Sequence, residues 1–155
     1  MSLSLQQPND SAGAGRSEPR VKARVGDASV RGVSILYAED APAVADAVKE
    51  TLEAEGWRVE VCGRGDDALD RLKGGTRFDV LIFDFRLPGL DGVELAKCAR
   101  RLPRRRRTPI IMLTTSEVER DARRAGIDAF LRKPRGVFRL AETITRLLAR
   151  EAKQG

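Results

Sequence analysis

The chain has 155 residues, and its 29 lysine and arginine residues against 23 acidic residues give a formal net charge of +6. Hydrophobic residues make up 41% of the sequence and charged residues 34%, which is typical of a globular domain with one hydrophobic core. Histidine is absent, which excludes histidine-based catalytic triads, histidine-dependent metal sites and a role as a phosphohistidine carrier.

The start of the chain differs in composition from the rest. Residues 1–31 are rich in Ser, Gly, Ala and charged residues and contain few large apolar side chains. Such a segment buries too little apolar surface to offset the entropy cost of ordering, so we expect a disordered arm there. A domain is then expected over residues 32–152, followed by a short tail at 153–155.

Beyond the arm, apolar runs alternate with segments in which apolar residues recur at helical spacing. The first half of this pattern predicts, in chain order, strand 33–38, helix 43–55, strand 57–61, helix 66–73 and strand 78–83. The second half predicts a helix containing Leu95, Ala99 and Leu102, strand 109–113, helix 117–124, strand 129–131 and a last helix containing Leu140, Ile144, Leu147 and Leu148.

Alternation of this kind predicts an α/β fold. The strands must run parallel and be joined by right-handed helical crossovers, which gives a three-layer sandwich with helices on both faces of the sheet. The strands are almost continuously apolar, as expected when both faces are covered. In such sheets the binding site lies at the carboxyl ends of the strands, near the point where the strand order reverses.

Several features favour a cytoplasmic protein without a membrane partner. The first residues lack the basic start and apolar segment of a signal peptide, and no apolar run is long enough to span a bilayer. Cys62 and Cys98 form no CxxC motif. We therefore expect neither a disulfide framework nor a zinc site, and a reducing compartment fits.

Polar residues stand at the carboxyl ends of four predicted strands. These residues are Glu39, Asp40, Asp84, Thr114 and Lys133. Three carboxylates within roughly 5 Å of one another repel by about 3 kcal/mol per pair at an effective dielectric constant of 20, so they need a cation or a proton. Oxygen ligands without histidine or cysteine favour Mg²⁺. Together with an ammonium group and a hydroxyl donor, such a site is suited to stabilising a phosphoryl group in transfer.

The segments that carry these residues resemble the receiver domain of two-component response regulators. The resemblance covers about residues 33–150 and rests on four segments, each at the end of a predicted strand: 35–40, 79–92, 109–114 and 130–134. It implies a flavodoxin-like (βα)5 fold with a parallel sheet of strand order 2-1-3-4-5.

The resemblance also implies a role for each residue of the acidic site. Asp84 would be the phosphoacceptor. Glu39, Asp40 and Asp84 would hold Mg²⁺, with the backbone carbonyl of Arg86 as a further ligand. The side chain of Arg86 departs from the usual pattern, since it is long and cationic, and could alter the lifetime of the phosphoryl group.

Further residues are implied in the switch. Thr114 and Lys133 would bind the phosphoryl oxygens, and Phe130 would be the aromatic residue that turns inward on activation. The bond from Lys133 to Pro134 is commonly cis in this family. Thr115 departs from the family, which usually has a very small residue there. The segment between Thr114 and Lys133 is about one helical turn shorter than usual, which predicts a short fourth helix.

The leading hypothesis is therefore a phosphorelay switch. A sensor histidine kinase or a histidine phosphotransfer protein would donate the phosphoryl group. The domain would then either control an unidentified downstream protein through a change of conformation or pass the phosphoryl group on. We expect no enzyme activity beyond self-catalysed phosphoryl acceptance and autodephosphorylation. Since only residues 151–155 follow the last helix, a stand-alone receiver is expected. The resemblance to the family also allows a homodimer.

The two alternatives to a phosphorelay switch are an aspartyl-phosphate phosphatase and a receiver-like adaptor. An aspartyl-phosphate phosphatase would need an acid two residues after the nucleophile, where this chain has Arg86. A receiver-like adaptor that is not phosphorylated would fit the departures at Thr115 and in the fourth helix.

The arginine cluster at Arg100, Arg101 and 104–107 is interpreted as a solvated helix end and loop. DNA binding is not expected because no aromatic residues interleave to stack on bases.

Overall fold

The computed structural model describes residues 32–154, so the expected disordered arm (1–31) and the end of the tail at Gly155 lie outside the described residues. Within that range the chain forms five strands and five α-helices in alternation, with one 3-10 helix before the last α-helix. The elements in chain order are β1 (Ser34–Ala38), α1 (Pro42–Glu53), β2 (Arg58–Cys62), α2 (Gly65–Lys73), β3 (Val80–Phe83), α3 (Gly92–Arg101), β4 (Ile110–Thr114), α4 (Glu119–Arg124), β5 (Ala129–Arg132), the 3-10 helix η1 (Arg135–Arg139) and α5 (Leu140–Gln154).

The strands form one parallel sheet of order β2-β1-β3-β4-β5, which confirms the predicted fold class and strand order. After β1 the chain adds β2 on one side, then crosses back to add β3 on the other. The reversal leaves a crevice at the carboxyl ends of β1 and β3. The two strand ends are tied together there by a hydrogen bond from the Asp84 N–H to the Ala38 carbonyl, at 3.0 Å.

The core consists of two apolar layers, one on each face of the sheet. Alternate residues of a strand face opposite sides. Ile35 and Tyr37 of β1 accordingly join the layer beneath α1 and α5, whereas Leu36 and Ala38 join the layer beneath α2, α3 and α4. All four are fully buried. Burial of each large apolar side chain contributes about 1.5–3 kcal/mol, so the strands with the most apolar residues occupy the centre.

Local sequence explains where the helices next to the crevice begin and end. Pro42 occupies the first turn of α1, where its missing N–H costs nothing. Beyond the end of α1, Gly56 adopts a φ of 86°, and its N–H donates to the Glu53 carbonyl. Asp91 caps α3, since its side chain accepts from the Glu94 N–H at 2.9 Å.

After β4 the chain forms one unusually short helix, α4, and one 3-10 helix, η1. Helix α4 has only six residues, in agreement with the predicted short fourth helix. The 3-10 helix η1 was not predicted, because residues 135–139 show no helical spacing of apolar side chains. It packs closely on the sheet: a Cβ on Gly136 would lie 2.8 Å from the Leu131 Cβ.

The interpretation of the arginine cluster as fully solvated is wrong for two of its members. Arg105 is only 3% exposed and donates to the carbonyls of Leu72, Gly74 and Thr76. Arg100 donates to the Gly126 carbonyl and forms an ion pair with Asp128 at 2.8 Å. Both guanidinium groups therefore serve as hydrogen-bond donors to backbone carbonyls of neighbouring segments.

Residues 32–154 contain no helix with the length and apolar composition that crossing a membrane requires.

Candidate functional site

The predicted site residues lie along one edge of the sheet. Glu39 and Asp40 follow β1, Asp84 follows β3, Thr114 ends β4 and Lys133 follows β5. Because β1, β3, β4 and β5 are consecutive in the sheet, their carboxyl ends are neighbours. The strand order therefore brings together residues that lie far apart in the sequence.

Three carboxylates converge at this edge. One oxygen of each of Glu39, Asp40 and Asp84 lies within 4.8 Å of the others. Glu39 is 3% exposed and Asp84 is 7% exposed, whereas Asp40 is exposed. The cluster thus has a buried floor formed by two carboxylates and one carboxylate open to solvent.

Lys133 provides the counter-charge for the buried pair. Its ammonium nitrogen donates to Glu39 Oε2 at 2.6 Å and to Asp84 Oδ2 at 2.9 Å. Burial would lower the pKa of Lys133, but the hydrogen bonds to the two carboxylates raise it above its usual range. The side chain is therefore a fixed cation held between Glu39 and Asp84.

The two buried carboxylates differ in their affinity for a proton. Burial would raise the pKa of Asp84, but the hydrogen bond from Lys133, together with the nearby Thr114 hydroxyl, outweighs it and holds the pKa below its usual range. Burial raises the pKa of Glu39, and the hydrogen bond from Lys133 only partly opposes this. Of the two, Asp84 therefore has the lower affinity for a proton, which favours the ionised form that a nucleophile needs.

Two further groups hold the Glu39 carboxylate. The Tyr37 hydroxyl donates to Oε2 at 3.1 Å, and the Ala41 N–H donates to Oε1 at 3.2 Å. Sequence reasoning did not identify Tyr37, because it lies within an apolar run. The available signal was its spacing: residues two apart in a strand lie on the same side, so Tyr37 precedes Glu39 on one face.

The remaining predicted residues surround this cluster. Thr114 is fully buried, and its Oγ1 accepts from the Ser116 N–H at 3.2 Å. Phe130 is partly buried against the layer beneath α2, α3 and α4. The side chains of Arg86 and Thr115 are exposed, and the role of the Arg86 carbonyl as a metal ligand stays a prediction. The Lys133–Pro134 peptide bond is cis, as the resemblance implied.

The donor set fits a hard divalent cation. The three side chains of the cluster all offer carboxylate oxygens, which Mg²⁺ prefers. A single ammonium opposes three carboxylates, so a cation there would relieve the remaining repulsion. Asp40 is exposed, so this side of the cluster is open to water. Mg²⁺ usually keeps several water molecules as ligands.

Comparison with known proteins gives one consistent family. The model of the response regulator receiver domain matches residues 35–145. The chain is 37% identical over 119 residues to the phosphate regulon transcriptional regulatory protein PhoB of Rhizobium meliloti, covering 75% of this chain and 52% of that protein. It is also 37% identical over 140 residues to the transcriptional regulatory protein TcrA of Mycobacterium tuberculosis, covering 88% of this chain and 51% of that protein.

Comparison with solved structures gives the same family. A CheY-like receiver domain protein from Methanospirillum hungatei is 31% identical with a TM-score of 0.74, covering 80% of this chain and 99% of that one. The receiver domain of the sensor histidine kinase PA1611 from Pseudomonas aeruginosa, solved with a magnesium ion coordinated in its active site cleft, is 30% identical with a TM-score of 0.71, covering 76% of this chain and 98% of that one. The chain spans about half the length of the curated relatives described above. The comparisons give no support to a phosphatase or an adaptor.

Proposed function

The chain belongs to the response regulator receiver family of two-component signalling, and we propose that it is switched by phosphorylation of Asp84. The observation that carries this proposal is the convergence of Asp84 with Glu39, Asp40 and Lys133 at the carboxyl edge of the sheet. An ionised carboxylate beside a fixed cation is suited to attack phosphorus, since positive charge stabilises the phosphoryl oxygens in transfer.

In the proposed transfer an Asp84 oxygen forms a bond to phosphorus while the bond from phosphorus to the donor's imidazole nitrogen breaks. The electron pair of that bond leaves with the imidazole. Lys133 lies within hydrogen-bond distance of Asp84 and is placed to pair with the arriving phosphoryl oxygens. Mg²⁺, bound by Glu39, Asp40, Asp84 and the carbonyl of Arg86, would supply further positive charge to these oxygens.

The conformational response follows from the same contacts. A phosphoryl group adds negative charge and three acceptor oxygens next to Asp84. These oxygens compete with Glu39 for the ammonium of Lys133. They are also acceptors for the hydroxyl of Thr114, whose oxygen accepts from the Ser116 N–H. Movement of Thr114 frees space for Phe130, which is only partly buried. The output is a shift in population between two forms of the domain.

Partners follow from family membership. We propose a sensor histidine kinase or a histidine phosphotransfer protein as donor and an unidentified protein as target. The chain catalyses only its own phosphorylation and dephosphorylation and has no separate substrate. Cys62 and Cys98 are free thiols, which supports a cytoplasmic location.

The proposal is tested by incubating the protein with acetyl phosphate and Mg²⁺ and measuring its intact mass. We expect a mass increase of one phosphoryl group, which is absent in Asp84→Asn. A matched control is Asp70→Asn, which removes an exposed carboxylate on α2 and is expected to be phosphorylated normally. An adduct that persists in Asp84→Asn, or no adduct on the unaltered protein with any donor, would refute the proposal.

A further inference from the structure

Tyr37 is a buried phenol whose hydroxyl contacts the acidic site from below. It is the single tyrosine of the chain, and its side chain is fully buried in the layer beneath α1 and α5. The hydroxyl donates to Glu39 Oε2 at 3.1 Å, the same oxygen that accepts from Lys133. A phenol in the core is thus joined by one hydrogen bond to a carboxylate of the site.

The hydroxyl is not needed for packing. A phenylalanine would fill nearly the same volume without burying a polar group, whose burial is costly unless it is hydrogen-bonded. Burial raises the pKa of Tyr37 far above its usual range, with the Glu39 carboxylate adding to the effect, so the group stays a neutral donor. A neutral donor directed at one carboxylate indicates a role in orienting Glu39.

Glu39 needs such an anchor more than an aspartate would. Its side chain has one more rotatable bond, so more conformers are lost when a glutamate is ordered than when an aspartate is. Three donors order it here, from Tyr37, Ala41 and Lys133. Of these, Lys133 also contacts Asp84, and its positive charge would be repelled by a divalent cation in the cluster.

Resting on the proposed Mg²⁺ site, we propose that Tyr37 is a positioning residue whose hydroxyl holds Glu39 in the orientation that binds the divalent cation. Within residues 32–154 the uncharged donors to Glu39 are the Tyr37 hydroxyl and the Ala41 N–H, and we expect both bonds to persist when Lys133 turns toward the phosphoryl group. Partners that orient a metal ligand in this way typically account for a 10- to 100-fold difference in metal affinity.

The test is Mg²⁺ titration of the full chain by calorimetry, with the metal as the only added ligand. We expect Tyr37→Phe to bind Mg²⁺ about ten-fold more weakly than the unaltered protein. The matched control is Thr143→Val, which removes a hydroxyl from a residue buried on α5 and is expected to bind normally. In a Glu39→Gln background, Tyr37→Phe is expected to cause no further loss, since the hydroxyl acts through the carboxylate.

A second measurement does not depend on the stability of Tyr37→Phe. Glu39→Asp keeps the charge but shortens the side chain, which removes the carboxylate from the phenol. The near-ultraviolet absorption of a tyrosine responds to hydrogen bonding of its hydroxyl, and Tyr37 is the only tyrosine present. We expect Glu39→Asp to shift this absorption. An unchanged absorption would show that the phenol does not donate to the Glu39 carboxylate in solution and would overturn the role of Tyr37.

The outcomes separate this inference from the proposed function. Equal Mg²⁺ affinity of Tyr37→Phe and the unaltered protein would overturn the role of Tyr37 and leave the proposed function intact. A purely structural role predicts a lower melting temperature for Tyr37→Phe with unchanged Mg²⁺ affinity. Absence of Mg²⁺ binding to the unaltered protein would overturn both proposals.

Discussion

Lys133 is the residue on which the charge balance of the site depends. Its ammonium bridges Glu39 and Asp84, and its side chain is only 11% exposed. Removal of one partner from a buried ion pair leaves uncompensated charge and typically costs 3–5 kcal/mol. We therefore expect Lys133→Met to lower the free energy of unfolding by about 3 kcal/mol in the absence of divalent cations.

Urea unfolding followed by circular dichroism measures this loss. The matched control is Lys97→Met, which removes an exposed lysine paired with Glu94 and is expected to change stability by less than about 0.5 kcal/mol. Added Mg²⁺ is expected to recover part of the loss, since it replaces the missing positive charge. Equal stability of the two variants would show that Lys133 does not compensate the buried carboxylates.

Single residues differ in how well their place in the site was predictable from the sequence. Asp84 and Lys133 directly follow apolar strands, so their position at the carboxyl edge follows from the strand pattern. Tyr37 and Arg105 gave no such signal. The spacing of Tyr37 places it on the same face of the strand as Glu39. Which polar atoms Tyr37 and Arg105 contact is determined only by the packing of neighbouring elements.

At the scale of elements, the loop between β3 and α3 depends on a glycine behind Asp84. Gly92 begins α3, and its N–H donates to the Phe85 carbonyl at 2.8 Å. A Cβ at this position would lie 2.1 Å from the Asp84 carbonyl oxygen. No side chain fits there without moving the backbone that carries Asp84.

We expect Gly92→Ala to destabilise the protein by about 2 kcal/mol, as overpacking of a filled site does. Because the displaced backbone carries Asp84, phosphorylation by acetyl phosphate is also expected to slow. The matched control is Gly63→Ala, where the nearest atom to the added Cβ, the Glu39 carbonyl oxygen, is 4.0 Å away. Unfolding by urea and the rate of phosphorylation measure the two effects. A Gly92→Ala variant that matches Gly63→Ala in both would contradict the steric argument.

Arg105 ties the end of α2 to the start of β3. Its guanidinium donates to the carbonyls of Leu72, Gly74 and Thr76 at 3.0, 3.2 and 2.6 Å, and it lies 5.2 Å from the centre of the Phe78 ring. The segment between these elements begins with two consecutive glycines, and Phe78 is its one large apolar residue. The hydrogen bonds of Arg105 therefore help to fix this segment.

Truncation of this arginine is expected to be costly. Hydrogen bonds from a charged group contribute about 1.5–3 kcal/mol each, and buried carbonyls left unpaired add to the loss, so we expect Arg105→Ala to destabilise the protein by about 3 kcal/mol. Arg106→Ala, which removes the exposed neighbouring side chain, is expected to be nearly neutral. Thermal or urea unfolding measures the stability of the two variants. Similar stabilities would show that Arg105 contributes no more to folding than its exposed neighbour.

For the whole molecule, the alternation of apolar runs and helical spacing was sufficient to predict a parallel three-layer fold, and the family resemblance supplied the strand order. Prediction failed where that periodicity was absent. Residues 135–139 form a 3-10 helix because Gly136 allows close packing on Leu131, a contact between separate elements. Long-range contacts of this kind leave no local pattern in the sequence.

The location of η1 leads to a prediction about the docking of the phosphodonor, which rests on the proposed function. Phe138 is 87% exposed and is the one large hydrophobic side chain so exposed in residues 32–154. It lies in η1, which follows Lys133 and Pro134 after β5, within a few residues of the site. Exposed aromatic residues near the centre of an interface often act as anchors for a protein partner.

We therefore expect Phe138→Ser to slow phosphoryl transfer from a histidine kinase or phosphotransfer protein about ten-fold, the factor that corresponds to a loss of about 1.4 kcal/mol. Phosphorylation by acetyl phosphate should be unchanged, because a small donor needs no docking surface. Arg77→Ser serves as the control: that side chain is 89% exposed and precedes β3, at the opposite edge of the sheet. Stopped-flow or gel-based transfer assays with both donors measure the effect. Equal slowing with the protein and the small donor would show that Phe138 acts on the geometry of the site rather than on recognition.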